Sequence, residues 1–566
     1  MSRHAAAAAR ALAPAGLAVA AFLLLAVATA GWWGLAAAVA AVTASGLLHR
    51  RAGRGGPPLG LDLTPRLLIA AGVLAYAATR EPVVDRWALA VAGAVLLGVL
   101  FAEPLVHRLA RPWYRAVRVP GAQPAPPAAL AANGTAWLVT SVGLLLTGLV
   151  AVGWPAATAA LPVPALAAAG VIGWLVLDGV HRRRTGHRAE LARLTRALTD
   201  GRPSFLLYFS APPGSEYQVK MWLRQLDQLD HPYLVVLAEP ENLPAVAAAT
   251  DAPVVVCETF EALDAVLAVP SLRVAFYVNN GMKNAHLVRY TQLTHVQLYH
   301  GDSDKAVTAS PLNQLFDRIF VAGQAAIDRF AAHGVQIPAD RFRIVGRPQV
   351  AALAVTGESI SDVTDPVVLY APTWIGAHAD TNYCSLPIAD RIVEQLLARG
   401  RTVILRPHPY SRRDPASADQ LRRAEQLLAR DRADTGRPHR WGAAASEQLS
   451  LFDCMDASHA MICDVSSVAS DYLYTGKPFA ITDMRGEGDE FARTFPVVRA
   501  AYRIDADGGN LPAVLDDLLA GDPLRATRRE LRTYYLGDAP PERYPMLFQS
   551  EARQLLPAAE QLRSAA

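Results

Sequence analysis

The sequence predicts an α-helical membrane region followed by an α/β region built in two halves. Three observations carry this. Residues 1–180 are dominated by Ala, Leu, Val and Gly, with charges in short clusters, whereas 181–566 have the mixed composition of a soluble protein. In the second part short apolar runs alternate with helical stretches, the pattern of parallel sheets made from βαβ units. The runs also fall into two successive series, each long enough for a domain of ordinary size. The expected divisions are a membrane region over 1–180, a basic linker over 181–202, a first α/β domain over 203–355 and a second over 356–566.

Six hydrophobic spans are read in the first part, at 12–30, 32–48, 67–79, 87–103, 136–154 and 162–180. A crossing helix needs about 20 apolar residues, so the third is short. The first resembles a signal peptide but runs on into further spans, which makes it an anchor. Arginines cluster before the first span, between the second and third (Arg50, Arg51, Arg54, Arg66), between the fourth and fifth (Arg108, Arg111, Arg115, Arg118) and after the sixth (Arg182, Arg183, Arg184, Arg188). The positive-inside rule then places both ends, and with them the α/β region, in the cytoplasm. Residues 119–127 read as a Pro-rich linker in the second cytoplasmic loop. No ionisable residue falls in the middle of a span, which points to an anchor or lipid-facing platform rather than an ion pathway.

In the α/β part, strands are expected at 205–209, 233–238, 253–257, 273–278, 296–299, 318–321 and 342–345. A second series is expected at 367–370, 402–405, 460–463 and 478–482, with helices at 389–399 and 418–431 between. Two such domains leave a cleft between their strand ends. A net charge of +3 does not suggest nucleic-acid binding. Cys257, Cys384, Cys454 and Cys463 form no metal or redox spacing and read as buried reduced thiols. No metal-ligand cluster is evident, no cofactor is expected, and turnover should survive EDTA. No dinucleotide or phosphate-loop signature follows any strand, which sets aside an ordinary dehydrogenase or ATPase.

Ligands in such sheets bind just past the carboxyl ends of strands, and four polar segments lie there. The first is His300-Gly301-Asp302-Ser303-Asp304-Lys305. A histidine here could accept a proton from an attacking hydroxyl, Gly301 would let a ligand approach the backbone, Asp302 or Asp304 could orient the ring, and Lys305 could meet a phosphate. The second is the turn Ala371-Pro372-Thr373-Trp374, which would expose the Thr373 hydroxyl. The third is Arg406-Pro407-His408-Pro409, whose prolines stiffen a guanidinium and an imidazole suited to a pyrophosphate leaving group, or merely a rigid surface loop. The fourth is Asp464-Val465-Ser466-Ser467, leading through Asp471-Tyr472 into a helix. Its serines could bind phosphate, cap the helix, or divide the two tasks. Further on, Lys477-Pro478 precedes a strand ending near Asp483, and Lys477 could be only a solvated charge. The basic tail with Arg525, Arg528, Arg529 and Arg532 either returns across the cleft or touches anionic lipid.

In order and spacing these segments resemble the CDP-glycerol glycerophosphotransferase family of teichoic acid synthesis. The family's motifs are His-Gly-Thr-x-x-Lys, Ala-Pro-Thr-Trp/Phe, Arg-x-His-Pro and Asp-Tyr-Ser-Ser-x-x-x-Asp-Tyr/Phe, then Lys-Pro before a last strand. The resemblance is clear over about 290–485. It implies a GT-B fold, two Rossmann-like domains with the acceptor on the first and the CDP donor on the second. It implies transfer of glycerol phosphate from CDP-glycerol to a hydroxyl of a lipid-linked or polymeric polyol-phosphate acceptor, with release of CMP. The family's base falls on His300, its pyrophosphate-contacting histidine on His408 and its phosphate-binding serines on Ser466 and Ser467. Gly301, Asp302, Lys305, Thr373, Arg406, Asp464 and Asp471 complete the expected substrate site. Two positions depart: Asp302 stands where the family has Thr, and Val465 where it has Tyr. Alternative readings are a ribitol-phosphate transferase, a membrane-bound GT-B glycosyltransferase using a nucleotide sugar, and a catalytically inactive envelope-assembly scaffold.

Overall fold

The computed structural model describes residues 3–51, 59–79, 86–122, 134–154, 157–356, 359–376 and 381–557. The chain divides into two compact units: Met1–Trp113 with Ala122–Arg193, and Tyr114–Gly121 with Leu194–Ala566.

The first unit contains α1 (Arg3–Phe22), α2 (Gly31–Arg51), α3 (Leu59–Ala78), α4 (Arg86–Ala110), α5 (Thr135–Gly153) and α6 (Pro162–Thr185). Among the described residues four segments are long and apolar enough to cross a membrane, at Gly31–Leu48, Arg86–Ala110, Thr135–Gly153 and Pro162–Thr185. Among those residues Leu12–Val27 is a shorter apolar helix, and α3 is apolar apart from Asp62 and Arg66. Small residues let these helices pack closely, as a Cβ on Gly143 would stand 2.7 Å from the Ala168 Cβ. Most of the proposed Pro-rich linker, and the loop 80–85, lie outside the described residues.

One expectation about this unit is corrected. The third span was read from 67, but α3 starts at Leu59 and brings Asp62 and Arg66 into the bundle. Arg66, only 2% exposed, donates to Glu103 of α4 at 2.7 Å, to Asp62 at 2.8 Å and to Thr140 of α5 at 3.0 Å. Trp137 donates its indole N–H to the other Asp62 oxygen at 2.9 Å. Ionisable side chains are therefore buried among these helices. They are tolerated because each charge is paired and hydrogen-bonded.

The second unit holds two sheets. The first contains β1 (Tyr114–Val117), β2 (Phe205–Phe209), β3 (Tyr233–Leu237), β4 (Val254–Cys257), β5 (Val274–Tyr277), β6 (Thr294–Gln297), β7 (Arg318–Val321) and β8 (Phe342–Ile344). Their order is β1-β4-β3-β2-β5-β6-β7-β8, all parallel except β1, which runs antiparallel to β4 at the edge. The parallel part has the dinucleotide-fold order, which reverses between β2 and β5. The second sheet contains β9 (Val367–Ala371), β10 (Thr402–Leu405), β11 (Ala460–Cys463), β12 (Phe479–Asp483) and β13 (Tyr502–Asp505), ordered β10-β9-β11-β12-β13 and parallel throughout. This is the flavodoxin-like order, reversing between β9 and β11.

The central strands are continuous apolar runs because helices cover both sheet faces; every residue of β2, β3 and β12 is buried. The amphipathic helix α8 (Tyr217–Asp227), which follows α7 (His187–Asp200), buries Val219, Trp222, Leu223 and Leu226 against the first sheet. The chain end returns to the first sheet: Phe548 and Ala552 of the helix Tyr544–Arg553 lie in the same core as Trp222 and Phe320. The tail thus returns to the first sheet. Its Arg528 is buried and donates to Asp522 and to the Ala500 carbonyl.

Candidate active site

Both topological reversals open onto one cleft of about 930 Å³. Ser210 past β2 and Asn279 past β5 line it from the first sheet, while Thr373 past β9 and Ser466 past β11 line it from the second. Its charged lining residues are Lys220, Arg224, Lys305 and Arg406 against one carboxylate, Asp471. Asp471 is held by Arg347 at 2.8 Å, so the cleft is electropositive and suits an anion.

His300 enters the cleft through an unusual backbone. β6 ends at Gln297, two residues before the expected end, and Tyr299 then takes a left-handed φ of 54°. The turn is held by the indole N–H of Trp222, which donates to the Tyr299 carbonyl, and by Arg347, which donates to the His300 carbonyl at 2.8 Å. Gly301 is required by close approach, since a Cβ there would lie 2.5 Å from the Ser467 hydroxyl oxygen.

The two histidines are set in opposite tautomers by backbone partners. His300 Nδ1 lies 2.8 Å from the Val278 carbonyl, which can only accept, so Nδ1 carries the proton and Nε2 a lone pair. His408 Nδ1 instead accepts from the Tyr410 N–H at 3.1 Å, so its Nε2 carries the proton. Burial lowers the pKa of His300 to about 4, aided by the Arg347 charge and opposed by the bond to Val278. Burial likewise lowers His408 to about 3, with Lys305, His300 and Arg413 adding to it. Both rings are neutral at physiological pH. One presents an acceptor and the other a donor. Tyr217, at the start of α8, packs edge-on against both, with ring centroids 5.9 Å from His300 and 6.1 Å from His408.

The carboxylates after His300 do not orient its ring, contrary to the sequence reading. Asp302 and Asp304 bind Arg329 at 2.5 and 3.0 Å, and Asp304 also accepts from the Tyr535 hydroxyl at 2.5 Å and the Val497 N–H at 3.2 Å. The acidic residue at the family's Thr position thus joins a buried ion cluster beside the cleft rather than lining it. Lys305 does line the cleft. Burial lowers its pKa while Asp464 opposes that, and its ammonium lies 5.2 Å from the Tyr383 ring centroid.

On the donor side Ser466 occupies the N-cap position of the helix Ser467–Leu473, but its hydroxyl caps nothing. Among the described residues that buried oxygen has no partner. Ser467 lines the cleft beside it. Asp464 lies beneath, accepting from the Thr373 N–H at 2.6 Å, the Ser385 N–H at 3.1 Å and the Thr482 hydroxyl at 2.6 Å, which ties two loops to β12. Arg406 donates through Nη1 to the carbonyls of Ala445 and Leu449. Lys477 is not a solvated charge: it is buried and donates to the Met455 and Asp456 carbonyls at 2.9 and 3.0 Å. Sequence reasoning missed Tyr217 and Arg347. Arg347 follows β8 in Gly346-Arg347-Pro348, a strand-end position of the kind that marked the other segments.

Residues 354–485 match the family model described as CDP-Glycerol:Poly(glycerophosphate) glycerophosphotransferase. Over that segment the chain is similar to CDP-glycerol glycerophosphotransferases. Among solved structures, the wall teichoic acid polymerase TagF is similar at 13% identity and TM-score 0.39, over 66% of this chain and 95% of that one. A UDP-N-acetylglucosamine 2-epimerase from Listeria monocytogenes is similar at 14% and 0.42, over 62% and 97%. The calicheamicin glycosyltransferase CalG4 is similar at 14% and 0.40, over 63% and 99%. No curated protein matches the sequence. The architecture is GT-B, two α/β sheets, parallel except for edge strand β1, with one cleft at their strand ends. Among the described residues no group of His, Cys, Asp and Glu could hold a metal ion.

Proposed function

We propose that this protein is a membrane-anchored enzyme that transfers glycerol phosphate from CDP-glycerol to a hydroxyl of a lipid-linked or polymeric polyol-phosphate acceptor, releasing CMP in cell-envelope polymer synthesis. The observation that carries the reading is the pair of histidines with opposite tautomers facing one electropositive cleft. The acceptor hydroxyl docks against His300 Nε2. Its oxygen attacks the phosphorus bearing glycerol while its proton passes to the imidazole. The bond from that phosphorus to the bridging oxygen breaks, and the electron pair leaves on CMP. His408 Nε2–H, the Ser466 and Ser467 hydroxyls and Lys305 face the developing charge, and such positioning supplies most catalysis in phosphoryl transfer. The first α/β half, 203–355, holds the acceptor and the second, 356–566, the donor.

The same reading places the α/β unit in the cytoplasm. The strand β1 comes from the loop between α4 and α5 and belongs to the first sheet, so that loop and the sheet share one side of any bilayer these helices cross. The arginine-rich loops make that side the cytoplasmic one.

The test is transfer from CDP-glycerol labelled in the glycerol, by the full-length protein in detergent with a membrane lipid extract. Label entering the acceptor fraction in equal amount to CMP supports the proposal. Free labelled glycerol phosphate in that amount would make the protein a hydrolase, and UDP release from a sugar nucleotide would make it a glycosyltransferase.

A further inference from the structure

The cleft extends beyond the two histidines along α8, and that arm takes no part in the chemistry above. Tyr217, Lys220 and Arg224 succeed one another along α8 and all line the cleft. Residues three and four apart share one face of a helix, so the row leads from the histidines outward, and Arg224 lies about 10 Å along the axis from Tyr217. Lys220 and Arg224 are exposed, and among the described residues neither has an ion pair or a side-chain hydrogen bond. Beside them Gln225 lines the same arm. It is only 7% exposed, and its side-chain carbonyl oxygen has no partner. Gln349 borders the arm too, donating to the Met221 carbonyl at 3.3 Å, with its own carbonyl oxygen unpartnered. Two free cations one helical turn apart, next to two open acceptor oxygens, match a chain that alternates anions with hydroxyls.

We propose that this arm is the acceptor subsite, with Lys220 and Arg224 each holding one of two successive phosphodiester groups behind the reacting hydroxyl and the Gln225 and Gln349 oxygens accepting from polyol hydroxyls. The inference rests on the acceptor being a polyol phosphate and deepens that reading. It makes the preferred acceptor one with at least two phosphates already in place, and so assigns the enzyme to extension of a chain that another transferase has begun.

The test is direct binding, which does not depend on turnover. Fluorescently labelled oligo(glycerol phosphate) of one, two and four units is titrated against the full-length protein in detergent at fixed salt. Affinity should rise from one to two or more units. Lys220→Gln and Arg224→Gln should each weaken the four-unit probe about tenfold, the double variant more, and Lys220→Arg should retain it. Unchanged melting temperatures confirm that the variants fold. Length-independent binding, or variants within twofold of wild type, would overturn the proposal. So would displacement of the probe by phosphatidylglycerol vesicles at lower phosphate concentration, which would give the pair to a bilayer surface. Length-dependent binding that needs both cations, in a protein that releases no CMP from CDP-glycerol, would support the subsite while refuting the donor assignment.

Discussion

The neutral state of His300 makes a sharp statement about pH. A base is active when deprotonated, and an ordinary histidine titrates near 6.5. The pKa of His300 is lowered to about 4 because burial disfavours the imidazolium and Arg347 repels it. The sign follows: a lowered pKa keeps the lone pair free at more acidic pH, so the acid limb of the profile moves down. At pH 5 a base titrating at 6.5 would be about 3% active, a loss of about 30-fold, whereas one titrating at about 4 stays about 90% active. The diphosphate of CDP-glycerol contributes no ionisation in this window, because it is esterified at both ends. The assay is initial-rate CMP release between pH 5 and 8 at constant ionic strength, read as kcat/KM, which reports the free enzyme. The expected profile is nearly flat from 7 to 5. A fall of about 30-fold, stable enzyme being shown by full recovery at pH 7, would refute the role of the buried, Val278-bound tautomer.

Other expectations follow from the same geometry. Gly301→Ala places a methyl 2.5 Å from the Ser467 oxygen, so the two loops must separate; we expect about 1–3 kcal/mol of lost stability by chemical denaturation and a fall in kcat of at least tenfold. Ser466→Ala removes a hydroxyl that caps nothing; stability should change by less than about 0.5 kcal/mol while the KM for CDP-glycerol rises, and the reverse outcome would make it a cap. Arg329→Gln leaves the Asp302 and Asp304 carboxylates without their cation; a loss of about 3–5 kcal/mol is expected in urea unfolding, whereas a change below 1 kcal/mol would show that the cluster is not a structural lock.

What the sequence revealed follows burial. The continuous apolar runs in the α/β part are strands, most of them central, because strands covered on both faces must be apolar throughout; β8 and β10 lie at sheet edges. The two strands that went unseen, β1 and β13, are edge strands with alternating burial over four residues, Tyr114-Arg115-Ala116-Val117 and Tyr502-Arg503-Ile504-Asp505. Four residues of alternation is too short a signal beside arginines. β6 was placed two residues late because its buried His295 and Gln297 are polar. Each is satisfied by a contact remote in sequence, His295 by the Tyr277 hydroxyl and Gln297 by the Asn279 carbonyl. The strand-end motifs converge on one cleft, as strand-end chemistry requires. Which member of each motif faces the cleft was not legible. Asp302 and Asp464 turn into the protein toward Arg329 and the Thr373 loop, partners that only the tertiary fold supplies. The α3 charges were missed for a similar reason: a span read by apolarity stops at Arg66, and nothing local reveals that Glu103 neutralises it.

The most direct test of the central claim is CMP release from CDP-glycerol by the full-length protein in detergent, wild type against His300→Ala, with CDP-ribitol and UDP-sugars in parallel. CMP from CDP-glycerol is expected, with a fall of about 100- to 10,000-fold in kcat for the variant. CMP release undiminished in His300→Ala, or no release from any CDP donor, would contradict that claim.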